Sequence, residues 1–254
     1  MKCFSILILT TLLFCNSNQE MKKHIDRPDT TEIANSKAPS DDIQNGDTLK
    51  TEIIETFVDS LKIGEKGKCK VELIKHRVYD DKFVIIKFYI KARHTTQDPE
   101  TWMNTNIYSY ETNAMTGFEP NISDFNNDNY NDITFISGTA ARGANEVRRL
   151  FIYDNQMQEL ISIVNSQDYP NMLYNKELDC IDAFMVHGAS TTVFAKISGD
   201  RLTTFATVQN SEYFHTINLV DENGNERELY KVKSKGVYVR HKNFKPLIEY
   251  EDEN

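Results

Sequence analysis

Oxygen-bearing side chains alternate along residues 124–132, in the order Asp-Phe-Asn-Asn-Asp-Asn-Tyr-Asn-Asp. Calcium in proteins binds about six to eight oxygen atoms, and a loop whose alternate residues point inward supplies them. The fourth inward position is a tyrosine, which can offer its backbone carbonyl oxygen. The spacing therefore predicts a Ca²⁺ site with the ligands Asp124, Asn126, Asp128, Tyr130 and Asp132.

This loop differs from the helix-flanked calcium loop of EF-hands. The sixth position usually carries glycine and here is Asn129, a residue that also tolerates the left-handed backbone conformation. The twelfth position is Phe135 in place of a bidentate glutamate, and a strand pattern follows the loop. The alternative is a polar turn between two strands, but oxygen donors at every alternate position favour calcium. No His or Cys accompanies the cluster, which disfavours zinc and redox metals.

Residues that could perform catalysis are scattered along the chain. The histidines His76, His94, His187, His215 and His241 have no neighbouring Cys or Ser in a recognised nucleophile context. Three arginines, Arg142, Arg148 and Arg149, could grip a carboxylate, although a solvated face explains them as well. Trp102 is predicted to be a half-buried loop anchor rather than a platform for sugars. The sequence therefore predicts a binding protein and not an enzyme.

Alternating apolar residues and turn signals predict a mainly β fold. The predicted hairpins are Lys70–Tyr79 with Phe83–Ile90, Thr191–Ile197 with Leu202–Val208, and Phe214–Val220 with Leu229–Val232. Strands Ile133–Ile136 and Leu150–Tyr153 flank a loop with Gly138 and Gly143. Residues Thr51–Leu61 place apolar side chains at helical spacing and predict one short amphipathic helix. We expect a single β-propeller-like domain of antiparallel hairpins, with a sandwich as the alternative.

The start of the chain differs in composition from the rest. Residues 1–14 carry Lys2 and then an apolar run of about 11 residues, too short for the roughly 20 that span a bilayer. This pattern predicts a secretory signal peptide. Residues 15–50 are polar and predict a disordered tether. Residues 51–254 are then the calcium-loop β domain.

Charge and cysteine content limit the partners. The net charge of −9 and the pI near 5.2 argue against nucleic acid, which requires a basic stripe. No later apolar stretch is long enough to cross a membrane, so we expect membrane contact only through an N-terminal lipid anchor. Cys69 and Cys180 remain for the folded part and can form a disulfide in an oxidising compartment. Two separately buried thiols are the alternative.

Several segments resemble known families. Residues 124–132 and the strand after them resemble the calcium loop of FG-GAP and VCBS-type β-propeller repeats. The order of motifs over about residues 118–210 resembles bacterial lysozyme-inhibitor-like immunity lipoproteins. The motifs are residues 124–132, Gly138–Asn145, Leu150–Asp154, Tyr169–Tyr174, Gly188–Ser190 and Gly199–Leu202. Leu12-Leu13-Phe14-Cys15 resembles a lipobox, which implies lipidation of Cys15, with cleavage after Ser17 as the alternative.

The resemblance implies a propeller-like fold, no enzymatic activity and inhibition of a peptidoglycan-cleaving glycosidase. The contact with the partner protein is then expected at Gly138, Arg142, Gly143 and Asn145. An acidic inhibitor would be steered to such hydrolases, which are often cationic. We expect a calcium-binding lipoprotein of the cell envelope, in the periplasm or on the outer surface, that blocks a cell-wall hydrolase. The alternatives are an adhesion or glycan-binding module and a hydrolase whose site the sequence hides.

Overall fold

The computed structural model describes residues 51–92, 99–114 and 116–251 of the chain. The predicted signal peptide, Cys15 and the tether lie outside these residues. The described part contains sixteen β-strands and two 3-10 turns, so the predicted mainly β class is confirmed. No helix in this part is long and apolar enough to cross a membrane.

The first sheet is an antiparallel meander in the order β1-β2-β3-β4. Its strands are β1 (Thr51–Asp59), β2 (Cys69–Val78), β3 (Asp81–Ala92) and β4 (Thr101–Glu111). Strands β2 and β3 form the hairpin predicted from residues 70–79 and 83–90. Trp102 is half-buried, as predicted, but it lies in strand β4 and not in a loop.

The helix predicted for Thr51–Leu61 is wrong, because these residues begin with strand β1. The strand pairs antiparallel with β2 along its length and satisfies the backbone groups of that edge. Its β-branched residues favour extended backbone. Ile53 and Val58 belong to the helical apolar spacing, yet they are 64% and 59% exposed. Pairing with the next strand, β2, therefore decided this element against its local periodicity.

The second sheet has the order β5-β6-β7-β8 and carries the predicted calcium loop between its first two strands. Its strands are β5 (Asn121–Ser123), β6 (Asp132–Ala140), β7 (Asn145–Asp154) and β8 (Glu159–Ser162). A 3-10 turn at Ala141–Gly143 joins β6 to β7. The two predicted strands are therefore confirmed as a pair. The predicted loop is wrong about Gly138, which lies within β6, whereas Gly143 lies in the connecting turn.

The third sheet has six antiparallel strands in the order β14-β13-β12-β11-β10-β9. Its strands are β9 (Leu173–Asn175), β10 (Cys180–Val186), β11 (Ser190–Ser198), β12 (Arg201–Asn210), β13 (Phe214–Val220) and β14 (Glu226–Lys233). A 3-10 turn at Ser166–Asp168 precedes it. The hairpins predicted at 191–208 and 214–232 are confirmed. Strands β15 (His241–Phe244) and β16 (Leu247–Glu249) form a separate hairpin.

Strand β7 lies between two hydrophobic cores. Phe151 and Tyr153 pack with Phe88 and other inward side chains of the first sheet. Leu150 and Ile152 pack in a second core that includes residues of the third sheet. Because successive side chains of a strand point to opposite faces, the second sheet is buried on both sides. A third core joins the third sheet to β15 and β16, and the propeller arrangement stays a prediction.

The predicted disulfide between Cys69 and Cys180 does not form. Cys69 lies in the first core and Cys180 in the third, and both are free thiols. Burial raises the pKa of both thiols, to about 12 for Cys180. The alternative of two separately buried cysteines therefore describes the structure, and both are packing residues.

Candidate functional site

The predicted calcium loop closes around the carboxylate of Asp124. This carboxylate accepts backbone N–H bonds from Asn126, Asp128 and Asn129, at 3.3, 3.2 and 2.8 Å. Asp128 accepts a further bond from the N–H of Tyr130 at 2.8 Å. The loop thus wraps its backbone donors around the carboxylates of its first and fifth positions.

The sharp turns of this loop are made by asparagines. Asn127 and Asn129 have φ values of 61° and 71°, in the left-handed region that asparagine visits more readily than most side chains. Asn129 therefore takes the conformation that glycine usually supplies at the sixth position. Asn131 fixes the end of the loop, because its side-chain amide donates to Lys62 and its carbonyl accepts from Gly64, at 2.9 and 2.8 Å.

Asp132 is fully buried at the first residue of β6. Its two oxygens accept the backbone N–H groups of Phe125 and Tyr153 at 2.7 and 2.9 Å. Burial raises the pKa of Asp132 to about 8; the carboxylates of Asp124 and Asp128 add to this rise and the two N–H bonds oppose it. Among the described residues, no Lys or Arg forms an ion pair with these three carboxylates.

The donor set of this loop matches the chemistry of a hard cation. Carboxylate, amide and carbonyl oxygens are what calcium prefers, and a divalent ion would compensate three carboxylates that have no cationic side chain beside them. In the conformation described, backbone N–H groups occupy the carboxylates. No group of three or more His, Cys, Asp or Glu side chains within residues 51–92, 99–114 and 116–251 is arranged to hold a metal. Calcium binding by these residues stays a prediction.

The turn between β6 and β7 has an unusual backbone. Ala141, Arg142 and Gly143 have φ values of 49°, 59° and 94°, and all three are exposed. The left-handed conformation costs a non-glycine residue about 1–2 kcal/mol. Such conformations persist only where the surrounding structure holds them. The turn is therefore a strained segment that the fold displays on its surface.

Two asparagines hold this turn against β10. The amide of Asn145 donates to the carbonyl of Val186 and accepts its N–H, at 3.0 and 2.9 Å. The amide of Asn171 donates to the carbonyls of Ala144 and Phe184, at 2.9 and 2.8 Å. Asn145, predicted as a partner contact, therefore has its side chain engaged within the fold. Asn171 lies within the motif Tyr169–Tyr174, but sequence reasoning assigned it no role, because its bond to the turn joins residues 27 positions apart.

The other predicted contact residues divide between interior and surface. Gly138 is buried in β6, and a Cβ there would lie 2.4 Å from the Oδ1 of Asn113, so its role is close packing. Arg142 and Gly143 are exposed and line a cavity of about 480 Å³ that also has Glu146 in its wall. The structure thus leaves Arg142 and Gly143 as accessible members of the predicted contact.

Two of the scattered histidines meet in the interior. The rings of His215 and His241 lie 5.0 Å apart between centroids, and both residues are buried. His241 Nε2 lies 3.0 Å from the Oδ1 of Asn210, and His215 Nε2 accepts the N–H of Lys235 at 3.0 Å. Burial lowers the pKa of both rings, to about 4 for His241. Their separation in sequence gave no signal of this pair.

No family model matches the chain, and no curated protein matches it either. A solved structure titled "Structure of a Xanthomonas Type IV Secretion System related protein" is similar at 9% sequence identity and a TM-score of 0.40. The alignment covers 70% of this chain and 100% of that chain. At this TM-score the similarity assigns neither a fold nor a function.

Proposed function

We propose that this chain is an exported, calcium-binding protein that binds and blocks a partner protein, a peptidoglycan-cleaving hydrolase. The observation that carries the proposal is the exposed turn Ala141–Gly143, held in left-handed backbone by Asn145 and Asn171. A turn that is already ordered loses little conformational entropy when it binds. Backbone strain of this kind clusters at functional sites.

Charge supports the same proposal. Arg142 is exposed and forms no hydrogen bond or ion pair with a described residue, so its guanidinium is free to meet a partner. Guanidinium groups bind carboxylates in a bidentate manner, and most glycosidases use a pair of carboxylates. The net charge of −9 favours association with a cationic enzyme.

Calcium would strengthen the presentation of the turn. The predicted ligands end at Asp132, the first residue of β6, and the turn begins directly after Ala140, its last residue. When bound, the ion supplies positive charge to three carboxylates that lack it. Strand β6 then connects the loop, with its carboxylates neutralised by the ion, to the exposed turn Ala141–Gly143. The propeller-like arrangement of the sheets and lipid attachment at Cys15 belong to the same proposal.

The test is inhibition of peptidoglycan cleavage by the full-length protein, against a panel of lysozyme-like muramidases and glucosaminidases. We expect the wild type to slow one of these enzymes without any turnover of its own. Arg142→Ala should weaken inhibition about tenfold, which corresponds to about 1.4 kcal/mol of binding free energy. The matched control is Arg227→Ala, since Arg227 is an exposed arginine on β14; it should inhibit like the wild type.

A second variant tests the backbone itself. A Cβ at Gly143 meets no neighbouring atom, yet φ is 94°, so Gly143→Ala strains the turn without a clash. It should weaken inhibition, while the strain of about 1–2 kcal/mol lowers the melting temperature by only a few degrees. A wild type that inhibits no enzyme of the panel but is retained by a polysaccharide array would replace the inhibitor with the adhesion alternative. Release of a product would establish a hydrolase.

A further inference from the structure

Two neighbouring arginines of β7 differ in their partners. Arg148 forms an ion pair with Glu146 at 3.2 Å and donates to the carbonyl of Glu119 at 3.0 Å. Arg149 points to the opposite face of the strand, as successive residues do. It forms no hydrogen bond or ion pair with a described residue, and its Nε is buried without a partner. Such a group is costly unless something outside the chain satisfies it.

The guanidinium of Arg149 is nevertheless held in position. It stacks over the ring of Tyr110, with the central carbon 4.4 Å from the ring centroid. A 2.8 Å hydrogen bond to the Oγ of Ser162 fixes the Tyr110 hydroxyl, and Phe151 packs against the ring at 6.0 Å between centroids. Stacking leaves the in-plane N–H donors of a guanidinium available, so Arg149 is a fixed cation with free donors.

These donors line a cavity of about 370 Å³. Asn113 and Gln167 also line it, and both are exposed polar residues. Asn113 uses its Oδ1 to accept the N–H of Thr139 at 3.3 Å, which leaves its amide N–H groups for a ligand. The side chain of Gln167 forms no hydrogen bond with a described residue. Arg149 thus shares its cavity with neutral amide groups.

Two negative groups limit the ligand. Burial lowers the pKa of Arg149, but Asp168 is close enough to act in the opposite direction and raise it. The carboxylate of Glu111 lies on the cavity wall, where it repels a second negative charge and accepts hydroxyl or amide donors. One guanidinium matches one carboxylate through two parallel N–H bonds. A doubly charged phosphate would have a single cation here, in a cavity that Glu111 also lines. The cavity therefore favours a monoanion that carries polar neutral groups.

We propose that this cavity binds a small molecule with one carboxylate and adjacent hydroxyl or amide groups, and that Arg149 is its anchor. An acidic sugar and an acylated neutral amino acid share this chemistry. The volume is in the range of small-molecule sites, about 300–1,000 Å³. The binding of such a molecule is separate from inhibition of a hydrolase and does not require it.

The experiment is titration of the full-length protein with glucuronic acid and with N-acetylglutamine, each of which carries one carboxylate, followed by NMR chemical shifts and calorimetry. Glucose and inorganic phosphate are the comparison ligands. We expect saturable binding of one acid, with shifts at Arg149 and Tyr110, and no saturation by glucose. Which acid binds distinguishes a sugar ligand from an amino-acid ligand. Phosphate that binds more tightly than both acids, or acids that shift neither residue, would overturn the proposal.

Variants of the two arginines give a matched pair. Arg149→Gln should weaken binding at least tenfold, whereas Arg148→Gln should retain it within twofold. Because Arg149 forms no hydrogen bond or ion pair with a described residue, Arg149→Gln loses only the stacking on Tyr110 and should melt at most about 2–4 °C below the wild type. An arginine held by buried hydrogen bonds would lower the melting temperature further. Wild-type affinity in Arg149→Gln contradicts the assignment. Arg149→Lys, which keeps the charge without the planar fork, should bind with intermediate affinity.

Discussion

Two fully buried aspartates, Asp132 and Asp182, are satisfied in different ways. Asp182 forms an ion pair with Arg240, whose Nε donates to its Oδ1 at 2.8 Å. It also accepts bonds from the amide of Asn175 and the hydroxyl of Tyr250. Asp132 accepts only backbone N–H groups, and it stands beside two further carboxylates in the loop.

The difference concerns where the positive charge comes from. Around Asp182 the chain supplies its own cation, brought from a segment far along the sequence. Around Asp132 no described side chain supplies one, and burial raises the pKa of its carboxyl to about 8. The Asp182 cluster is therefore compensated within the fold, whereas under the proposed function the loop would take its positive charge from a calcium ion.

The largest loss of stability is expected when Arg240, the cation beside Asp182, is removed. Arg240→Met leaves the charge of Asp182 buried without its partner, which costs about 3–5 kcal/mol of unfolding free energy. Urea unfolding measures this loss. Arg227→Met, an exposed arginine on β14, is the control and should stay within about 0.5 kcal/mol of the wild type. If Arg240→Met also stays within about 0.5 kcal/mol of the wild type, Asn175 and Tyr250 are enough to stabilise the buried carboxylate of Asp182.

Calcium bound at residues 124–132 should have a smaller but comparable effect on the free energy of unfolding. Calcium at 100 times its Kd stabilises a protein by about 2.7 kcal/mol, which raises the melting temperature of a domain of this size by roughly 5–10 °C. Melting in calcium and in chelator measures the difference. Asp128→Ala should abolish it, whereas Arg240→Met should keep it because the two sites share no partner. Identical melting of the wild type in both buffers would refute the site.

Acid should weaken the interior of the third sheet. The pKa of His241 falls from 6.5 to about 4 through burial and the neighbouring His215, with Lys235 adding and Glu249 opposing. Between pH 4 and pH 6.5, the ring of His241 is therefore protonated in the unfolded chain and neutral in the folded chain. Stability is fully present above pH 6.5 and is lost as the pH falls toward 4.

After a discount for solvent screening, this loss amounts to about 2 kcal/mol. Urea midpoints at pH 7, 5.5 and 4.5 measure it. His241→Gln removes the titrating ring, so its midpoint should change less over the same interval. A variant that loses stability as steeply as the wild type would place the acid sensitivity elsewhere.

The smallest expected effect concerns one hydrogen bond of the Asp182 cluster. Tyr250→Phe removes the hydroxyl donor and leaves Arg240 and Asn175 in place, so it should cost about 1 kcal/mol. Tyr238→Phe is the matched control, because the exposed Tyr238 donates only to the carbonyl of Gly188, at 3.2 Å. If both variants unfold alike, Arg240 carries the compensation of Asp182 without help from the hydroxyl.

The sequence by itself determined the hairpins and the position of the oxygen-donor loop. Strands β2 and β3, like β11 and β12, are joined by short turns, so their alternation and turn residues suffice to predict the pairing. The left-handed conformation of Asn129 could also be predicted, since it follows from position in the loop and from the side chain alone. These features depend on residues close together in the chain.

Only the tertiary structure decided which polar groups find partners. Asp182 meets Arg240, Asn145 meets Val186, and the Nε of Arg149 finds no hydrogen-bond partner among the described residues. Pairing with β2 likewise placed residues 51–59 in a strand, although the spacing of their apolar side chains favoured a helix. The physical reason is that the cost of a charge or an unpaired backbone group depends on its burial and its nearest partner. Both are set by segments remote in sequence, which local patterns do not report.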